Sequence, residues 1–124
     1  MGNGIAHVMA LADYEVILTD VSKEHLNSAT AKMAQNLERQ ILANKIYKSQ
    51  SAQALEKLTT TIDLKVVSTT DLITESVDEK EEMKRKIFHS VMPYLNDHTL
   101  LTSNTSSISI THLANSNDRL EKFL

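Results

Sequence analysis

Cysteine and tryptophan are absent from this chain of 124 residues, and so is any excess of basic side chains. Without cysteine, the chain has neither a disulfide framework nor a thiolate site. Lysine and arginine number 13 against 16 acidic residues, so the formal net charge is -3 and the isoelectric point lies near 5.9. Such a balance leaves no basic footprint, and we expect no nucleic acid as a partner.

Long apolar runs are also missing. No stretch approaches the ~20 residues that cross a membrane, and the N-terminus lacks the basic and apolar segments of a secretion signal. We therefore expect a cytoplasmic protein that does not bind membranes. The hydrophobic fraction of 41% supports a small core, and the length predicts one domain at most, spanning residues 1–124.

The five histidines are the obvious candidate metal ligands. No pair of them has helical ligand spacing with a third ligand nearby, so we expect no metal site. We interpret all five as surface or boundary residues. Serine hydrolysis is also unsupported, because no G-x-S-x-G turn surrounds Ser106. The histidines are His7, His25, His89, His98 and His112.

The most informative stretch runs from Thr99 to Thr111. It is apolar and β-prone at first, then small and polar, then apolar again at helical spacing. This order predicts a buried strand, a loop at its carboxyl end and a short helix. In open α/β sheets, ligands bind just outside the carboxyl ends of strands. A plain Ser/Thr-rich turn with capping residues explains the same composition. The loop residues are Asn104, Thr105, Ser106 and Ser107.

The sequence of this stretch closely resembles that of the 3-hydroxyacyl-CoA dehydrogenase family, especially its bacterial 3-hydroxybutyryl-CoA members. The matching residues, from Ser103 to Thr111, are S-N-T-S-S followed by I-S-I-T. The resemblance runs through nearly the whole chain in order. It implies an α/β fold with a Rossmann-type doubly wound parallel sheet. It also implies that the sheet is incomplete here, with its first strand before Met1 and a C-terminal helical domain beyond Leu124. The two glycines of the chain, both at its start, agree with a domain that continues upstream.

The first residues resemble the back half of a G-x-G-x-x-G turn and its helix, with Gly2 as the last glycine. The spacing of Ile5, Val8, Met9 and Ala12 predicts the buried face of that helix, and the small residues between them allow a close approach. A short strand over Glu15–Thr19 then leads to Asp20. An acid ~20 residues after such a turn accepts hydrogen bonds from the adenosine ribose and favours NAD. A turn residue before the next helix is an equal reading of Asp20.

The middle of the chain predicts a helical pair. Ser22 is placed to cap a helix that reaches about Asn44, with an apolar stripe from Leu26 to Ile41. A second helix is expected over Ala52–Lys57, before a brief strand over Leu58–Ile62. In the family these helices help to hold coenzyme A. Many members carry a lysine where this chain has Ala43, which puts that contact in doubt.

The strand at Asp71–Val77 resembles the family sequence D-L-V-I-E-A-V, and we expect it to pair in parallel with the strand at Leu100–Ser103. A helix over Glu81–Met92 follows, with an apolar face formed by Met83, Ile87, Phe88 and Val91; Pro93 ends it. The resemblance implies that Ser76 binds the cofactor and that Glu79 and Lys84 contact the nicotinamide half of NAD. For Glu79 and Lys84, a solvated, charged helix start explains the pattern without any ligand.

The implied reaction is the reversible oxidation of an L-3-hydroxyacyl-CoA to a 3-ketoacyl-CoA with NAD. By resemblance, Ser106 is the catalytic and substrate-binding serine, and Asn104 helps to set the nicotinamide end of the cofactor. The family's general base is a histidine in an H-F-F-N-P motif, expected a few residues beyond Leu124, so this chain should be inactive alone. The parent is expected to be a homodimer that acts on an acyl-CoA. A non-catalytic nucleotide-binding or interaction module is the alternative, whereas a dehydrogenase of another acid agrees less well with the serine-rich loop.

Overall fold

The computed structural model describes residues 2–104. Within them, the helices are α1 (Gly2–Leu11), α2 (Lys23–Leu42), α3 (Lys48–Lys57) and α4 (Glu81–Val91), and the strands are β1 (Val16–Thr19), β2 (Leu58–Thr61), β3 (Leu72–Glu75) and β4 (Leu100–Ser103). The four α-helices and four strands of this part of the chain follow one another in the order α1, β1, α2, α3, β2, β3, α4 and β4. The serine-rich loop at Thr105–Ser107, with Ser106, lies outside the described residues, as do His112, the helix expected near Ile110–Asn115 and the strand expected at Lys122–Leu124.

The chain divides into two compact units between Ile62 and Asp63. In the first unit, β1 and β2 pair in parallel, from Val16 opposite Leu58 to Thr19 opposite Thr61. A parallel pair requires a crossover connection of a dozen or more residues, and α2 and α3 provide it. A small apolar core of Ala6, Met33 and Leu37 lies under these elements.

The buried face of α1 differs from the prediction. Ala6, His7 and Ala10 are the buried residues of this helix, whereas Val8 is 63% exposed. The prediction weighted the larger apolar side chains, but the two alanines are small enough for the helix to pack closely against its neighbours in this unit. Of the four small residues expected to allow a close approach, Ala6 and Ala10 are buried, whereas Gly4 is exposed. The predicted face is wrong at Val8 and Ala12, which are exposed.

The long helix α2 follows the prediction closely. Ser22 is its N-cap, and the Ser22 hydroxyl accepts a hydrogen bond from the His25 backbone N–H at 3.3 Å. Leu26, Met33 and Leu37 form its buried stripe. The helix ends at Leu42, and Asn44 takes a left-handed backbone conformation with φ 56°, as is common just past a helix end.

The next helix, α3, begins four residues earlier than predicted. Its first turn is held by Gln50, whose side-chain oxygen accepts a hydrogen bond from the Tyr47 backbone N–H at 2.7 Å. This turn lies on an exposed, polar stretch, so hydrophobic periodicity gives no sign of it. The strand β2 that follows agrees with the predicted Leu58–Ile62 to within one residue.

In the second unit, β3 and β4 pair in parallel, from Leu72 opposite Leu100 to Glu75 opposite Ser103, which confirms the predicted pairing. Val67, Phe88, Val91 and Leu101 form the core of this unit. Val67 belongs to a 3₁₀-helix over Leu64–Thr69 that the sequence analysis did not predict. Its first turn is capped by Asp63, whose carboxylate accepts the Lys65 backbone N–H at 3.0 Å.

The buried face of α4 contains one residue that the prediction had placed elsewhere. Met83 was assigned to the apolar face but is 40% exposed, and Lys84 is completely buried in its stead. The reading of Lys84 as part of a solvated helix start is therefore wrong. A buried ammonium group requires a partner, and the partner is a carboxylate at the end of β3.

Among residues 2–104, no helix combines the length and the apolar character that crossing a bilayer demands.

Candidate functional site

The first part of the candidate site lies where α1 begins and β1 ends. A four-residue turn joins α1 to β1, and the two elements pack together, so they run in opposite directions. The first turn of α1 and the carboxyl end of β1 therefore lie at the same end of this unit. Gly2 is the first described residue of α1, and a Cβ added at Gly4 would meet no atom within 4 Å. Helix N-termini favour negative charge, and binding of an anionic group at this end stays a prediction.

Asp20 stands directly after β1, as predicted. Its Oδ1 accepts the Ser22 backbone N–H at 2.9 Å and lies 3.2 Å from Nδ1 of His25. The side chain is 38% exposed. Asp20 therefore shapes the turn into α2, which agrees with the structural reading of this residue. Both contacts use Oδ1, and the role of the carboxylate towards a cofactor stays a prediction.

His7 corrects a further expectation, because it is buried in α1 and is not a surface or boundary residue. Its Nε2 lies 2.9 Å from the side-chain nitrogen of Gln40 on α2, and its Nδ1 has no hydrogen-bond partner among the described residues. His7 lines a cavity of about 400 Å³ together with Asn36 and Arg39 of α2. His25, His89 and His98 are exposed, as expected.

The second part of the candidate site is built around Glu75, the last residue of β3. Glu75 is 3% exposed, and its carboxylate faces the fully buried ammonium of Lys84. Lys84 Nζ donates to Oε1 at 2.9 Å, to Oε2 at 3.0 Å and to the Val77 carbonyl at 3.2 Å. These three acceptors match the three N–H donors of a lysine. Burial of the two charges is thus compensated by a direct ion pair with full hydrogen bonding.

The same carboxylate collects two further donors. The Val77 backbone N–H donates to Oε1 at 2.6 Å, and the Ser103 hydroxyl donates to Oε2. The backbone carbonyl of Glu75 also accepts the Asn104 N–H at 2.8 Å. Glu75 therefore joins Val77 in the loop after β3, Ser103 and Asn104 at the end of β4, and Lys84 of α4.

Ser76 lies at the same edge of the sheet, directly after β3. Its hydroxyl oxygen is buried and has no hydrogen-bond partner among the described residues. A buried hydroxyl that lacks a partner costs about 1–3 kcal/mol, so this group suits a ligand that supplies a polar atom. The residues at this edge thereby fit a cofactor with a polar head group. The Glu79 carboxylate, 41% exposed, lies 4.0 Å from Lys84 Nζ.

The structure thus brings together Ser76, Glu79, Lys84 and Asn104 in the second unit, and it places Gly2 and Asp20 at one end of the first. Ser106 lies outside the described residues, two positions after Asn104. Neither Glu75 nor Ser103 was predicted as a site residue. No local sequence signal identified Glu75, because its partner Lys84 lies nine residues later on another element.

Comparison with known proteins assigns this arrangement to one family. The model of the 3-hydroxyacyl-CoA dehydrogenase NAD-binding domain matches residues 1–124. The 3-hydroxybutyryl-CoA dehydrogenase of Bradyrhizobium diazoefficiens is 44% identical over 124 residues, which is all of this chain and 42% of that protein. The chain therefore spans about two fifths of the length of this relative.

Solved structures agree in fold. The crystal structure of M. tuberculosis FadB2 has a TM-score of 0.96 and 33% identity, with coverage of 99% of this chain and 44% of that one. The (S)-3-hydroxybutyryl-CoA dehydrogenase PaaH1 of Ralstonia eutropha gives a TM-score of 0.95 and 32% identity over the same shares. These similarities confirm the predicted α/β fold of the Rossmann type.

Proposed function

Because this chain belongs to the 3-hydroxyacyl-CoA dehydrogenase family, whose NAD-binding domain it matches along its whole length, we propose that it is the NAD-binding portion of an L-3-hydroxyacyl-CoA dehydrogenase. The parent enzyme would oxidise a 3-hydroxyacyl-CoA to a 3-ketoacyl-CoA in fatty acid β-oxidation or butanoate metabolism. NAD accepts the hydride in this chemistry when it is bound. The observation that carries the proposal is the set of buried polar groups at the carboxyl ends of β3 and β4. Among the described residues, the buried Ser76 hydroxyl there has no hydrogen-bond partner.

The first unit carries the residues that we assign to the adenosine half of NAD. The N-terminus of α1, which begins at Gly2, would receive the phosphates, because its free N–H groups and its partial positive charge favour an anion. Asp20 would accept hydrogen bonds from the ribose hydroxyls. Its carboxylate would also repel the additional phosphate that NADP carries on this ribose.

The second unit carries the residues that we assign to the nicotinamide half. Ser76 and Asn104 would offer polar groups to the cofactor, and Glu79 would close the same side. Lys84 would act on the cofactor through Glu75 and Val77, because its buried ammonium already donates to both. Ser106 is proposed as the catalytic serine that hydrogen-bonds the substrate oxygen, on the strength of the S-N-T-S-S resemblance.

The remaining features of the parent follow from the family. We propose that residues 1–124 form one NAD-binding domain, that the substrate is an acyl-CoA, and that the enzyme is a cytoplasmic homodimer. Support for the substrate class comes from the similar proteins of Bradyrhizobium and Ralstonia, whose names specify 3-hydroxybutyryl-CoA.

Cofactor choice is the first test. Asp20→Asn keeps an oxygen that accepts the Ser22 N–H but removes the charge that would repel the phosphate of NADP. We expect the wild type to bind NADH more tightly than NADPH, and the variant to shrink this preference about tenfold, which is ~1.4 kcal/mol. Calorimetric titration of both proteins with both cofactors measures the ratio. Equal affinities in the wild type would show that Asp20 serves only the turn into α2.

Catalysis is the second test. General acid–base chemistry needs a base within reach of the reacting proton, and the family's H-F-F-N-P histidine is not among residues 1–124. We expect the purified chain to bind NADH but to leave its absorbance at 340 nm unchanged when acetoacetyl-CoA is added. An empty-vector preparation carried through the same purification measures the contribution of host dehydrogenases. Turnover above that background would contradict the prediction, and failure to bind NADH would contradict the proposed function.

A further inference from the structure

We propose that Glu75 is a positioning residue for the nicotinamide half of the cofactor. Its carboxylate would fix Val77, in the loop after β3, and Ser103, the last residue of β4, so that the neighbouring Ser76 and Asn104 are held ready before the cofactor binds. This inference rests on the proposed function, because it assumes that Ser76 and Asn104 receive NAD. It adds to that function a residue that the sequence resemblance did not identify.

The first support is the number of donors that Glu75 collects. A carboxylate has about four acceptor positions, and here all four are used, by two N–H groups of Lys84, the Val77 backbone N–H and the Ser103 hydroxyl. The donors come from three different segments of the second unit. A movement of any one segment would break a hydrogen bond at a buried charge, so each is held in one position.

The second support is the place where these bonds act. Val77 has both its N–H and its carbonyl bound to the ion pair, which fixes the backbone on the far side of Ser76. Ser103 and the Asn104 N–H are bound to the side chain and the backbone of Glu75, respectively. The bonds therefore end on the residues that flank the proposed ligand groups, and not on the middle of the strands.

The third support is that the core of this unit does not require the charges. Phe88, Val91 and Leu101 already form an apolar cluster there, and buried ion pairs can often be exchanged for apolar residues of similar volume without loss of stability. An apolar pair in place of Glu75 and Lys84 would fill the space but would not bind the Val77 N–H or the Ser103 hydroxyl. The two roles, packing and positioning, can therefore be separated by mutation.

The experiment compares NADH with ADP-ribose, which has the adenosine, the phosphates and both riboses but no nicotinamide. The double variant Glu75→Leu/Lys84→Met removes the ion pair as a unit, and Ser103→Ala removes only the bond to β4. Glu82→Gln, an exposed position on α4, is the matched control. For each protein, calorimetry gives the two dissociation constants, and circular dichroism gives the melting temperature.

We expect the double variant to keep a melting temperature close to that of the wild type, to bind ADP-ribose as before and to bind NADH about tenfold more weakly or worse. Ser103→Ala should weaken NADH binding severalfold with the same selectivity, and Glu82→Gln should change neither ligand. If the double variant does not fold, Ser103→Ala still decides, because it leaves the ion pair in place.

Three results would overturn the inference. One is unchanged NADH affinity in the double variant or in Ser103→Ala. Another is an equal loss of NADH and ADP-ribose affinity, which would mean that Glu75 acts on the fold as a whole. The third is a wild-type chain that binds neither ligand, and this result alone would also overturn the proposed function.

Discussion

Lys84→Met is expected to lower the free energy of unfolding by about 3–5 kcal/mol. The substitution removes the ammonium that lies 2.9 Å from Glu75 Oε1 and leaves that carboxylate buried without a cation. Small domains are stable by only about 5–15 kcal/mol in total, so this loss would be a large part of the whole. Urea denaturation followed by circular dichroism measures it.

Two comparisons make the result specific to the ion pair. Lys86→Met, on the exposed side of the same helix, should change stability by no more than about 0.5 kcal/mol. Adding Glu75→Leu to Lys84→Met should restore most of the lost stability, because the unpaired charge is then gone. If Lys84→Met unfolds at the same urea concentration as the wild type, the ammonium is not buried in solution as it is in the structure.

Ser106→Ala is expected to lower kcat by about 10²–10³, or roughly 2–4 kcal/mol, in a completed enzyme that includes the H-F-F-N-P histidine and the C-terminal helical domain, while NAD binding changes less. We assign Ser106 a hydrogen bond to the substrate oxygen that becomes stronger as charge develops, and such a bond acts mainly on the rate. Steady-state kinetics with acetoacetyl-CoA, together with calorimetry of NAD binding, separates the two effects.

Ser109→Ala provides the comparison for Ser106, because it removes a hydroxyl three residues further along the same stretch. It should leave kcat within about twofold, as is usual for substitutions away from a site. Unchanged kcat with weakened NAD binding in Ser106→Ala would mean that the serine holds the cofactor and not the substrate.

The sequence predicted those parts of the fold that depend on a regular apolar pattern with matching local signals. Helix α2 has a stripe at helical spacing and a capping serine, Ser22, so both its start and its buried face were correct. All four described strands lie within one or two residues of their predicted bounds. Helix α3 begins at Lys48 because Gln50 binds the backbone at Tyr47, and a polar capping contact of this kind leaves no trace in the apolar pattern.

The errors arose where the partner of a residue lies on another element. In α1, large and small apolar residues surround the helix, and the sequence alone does not say that the arc of Ala6 and Ala10 is the one that packs. In α4, the spacing of Lys84, Phe88 and Val91 is that of a buried face, but a lysine on such a face is plausible only once a carboxylate is known to meet it. Glu75 is that carboxylate, and its sequence neighbours give no indication of the contact.

The candidate site also divides into residues with a local sequence signal and residues whose partners lie on other elements. Gly2, Asp20 and Asn104 were proposed from the family resemblance and from their places in a glycine turn or at the end of a strand, and their roles stay predictions. Glu75 was missed because its contacts with Lys84 and Ser103 join residues that lie 9 and 28 positions away in the sequence. Residues of this kind become visible only when distances are known.

The parallel pairing of the strands also bears on how the chain is made by the ribosome. Val16 can pair only after Leu58, 42 residues later, has been synthesised. Leu72 needs only the 28 residues that lead to Leu100. At a synthesis rate of roughly 5–20 residues per second, β1 spends about 2–8 seconds without its partner strand. During that interval its apolar Val-Ile-Leu segment is free to contact other nascent chains. Protection by a chaperone that binds emerging polypeptides would thus matter more for β1 than for β3, whose partner strand follows sooner.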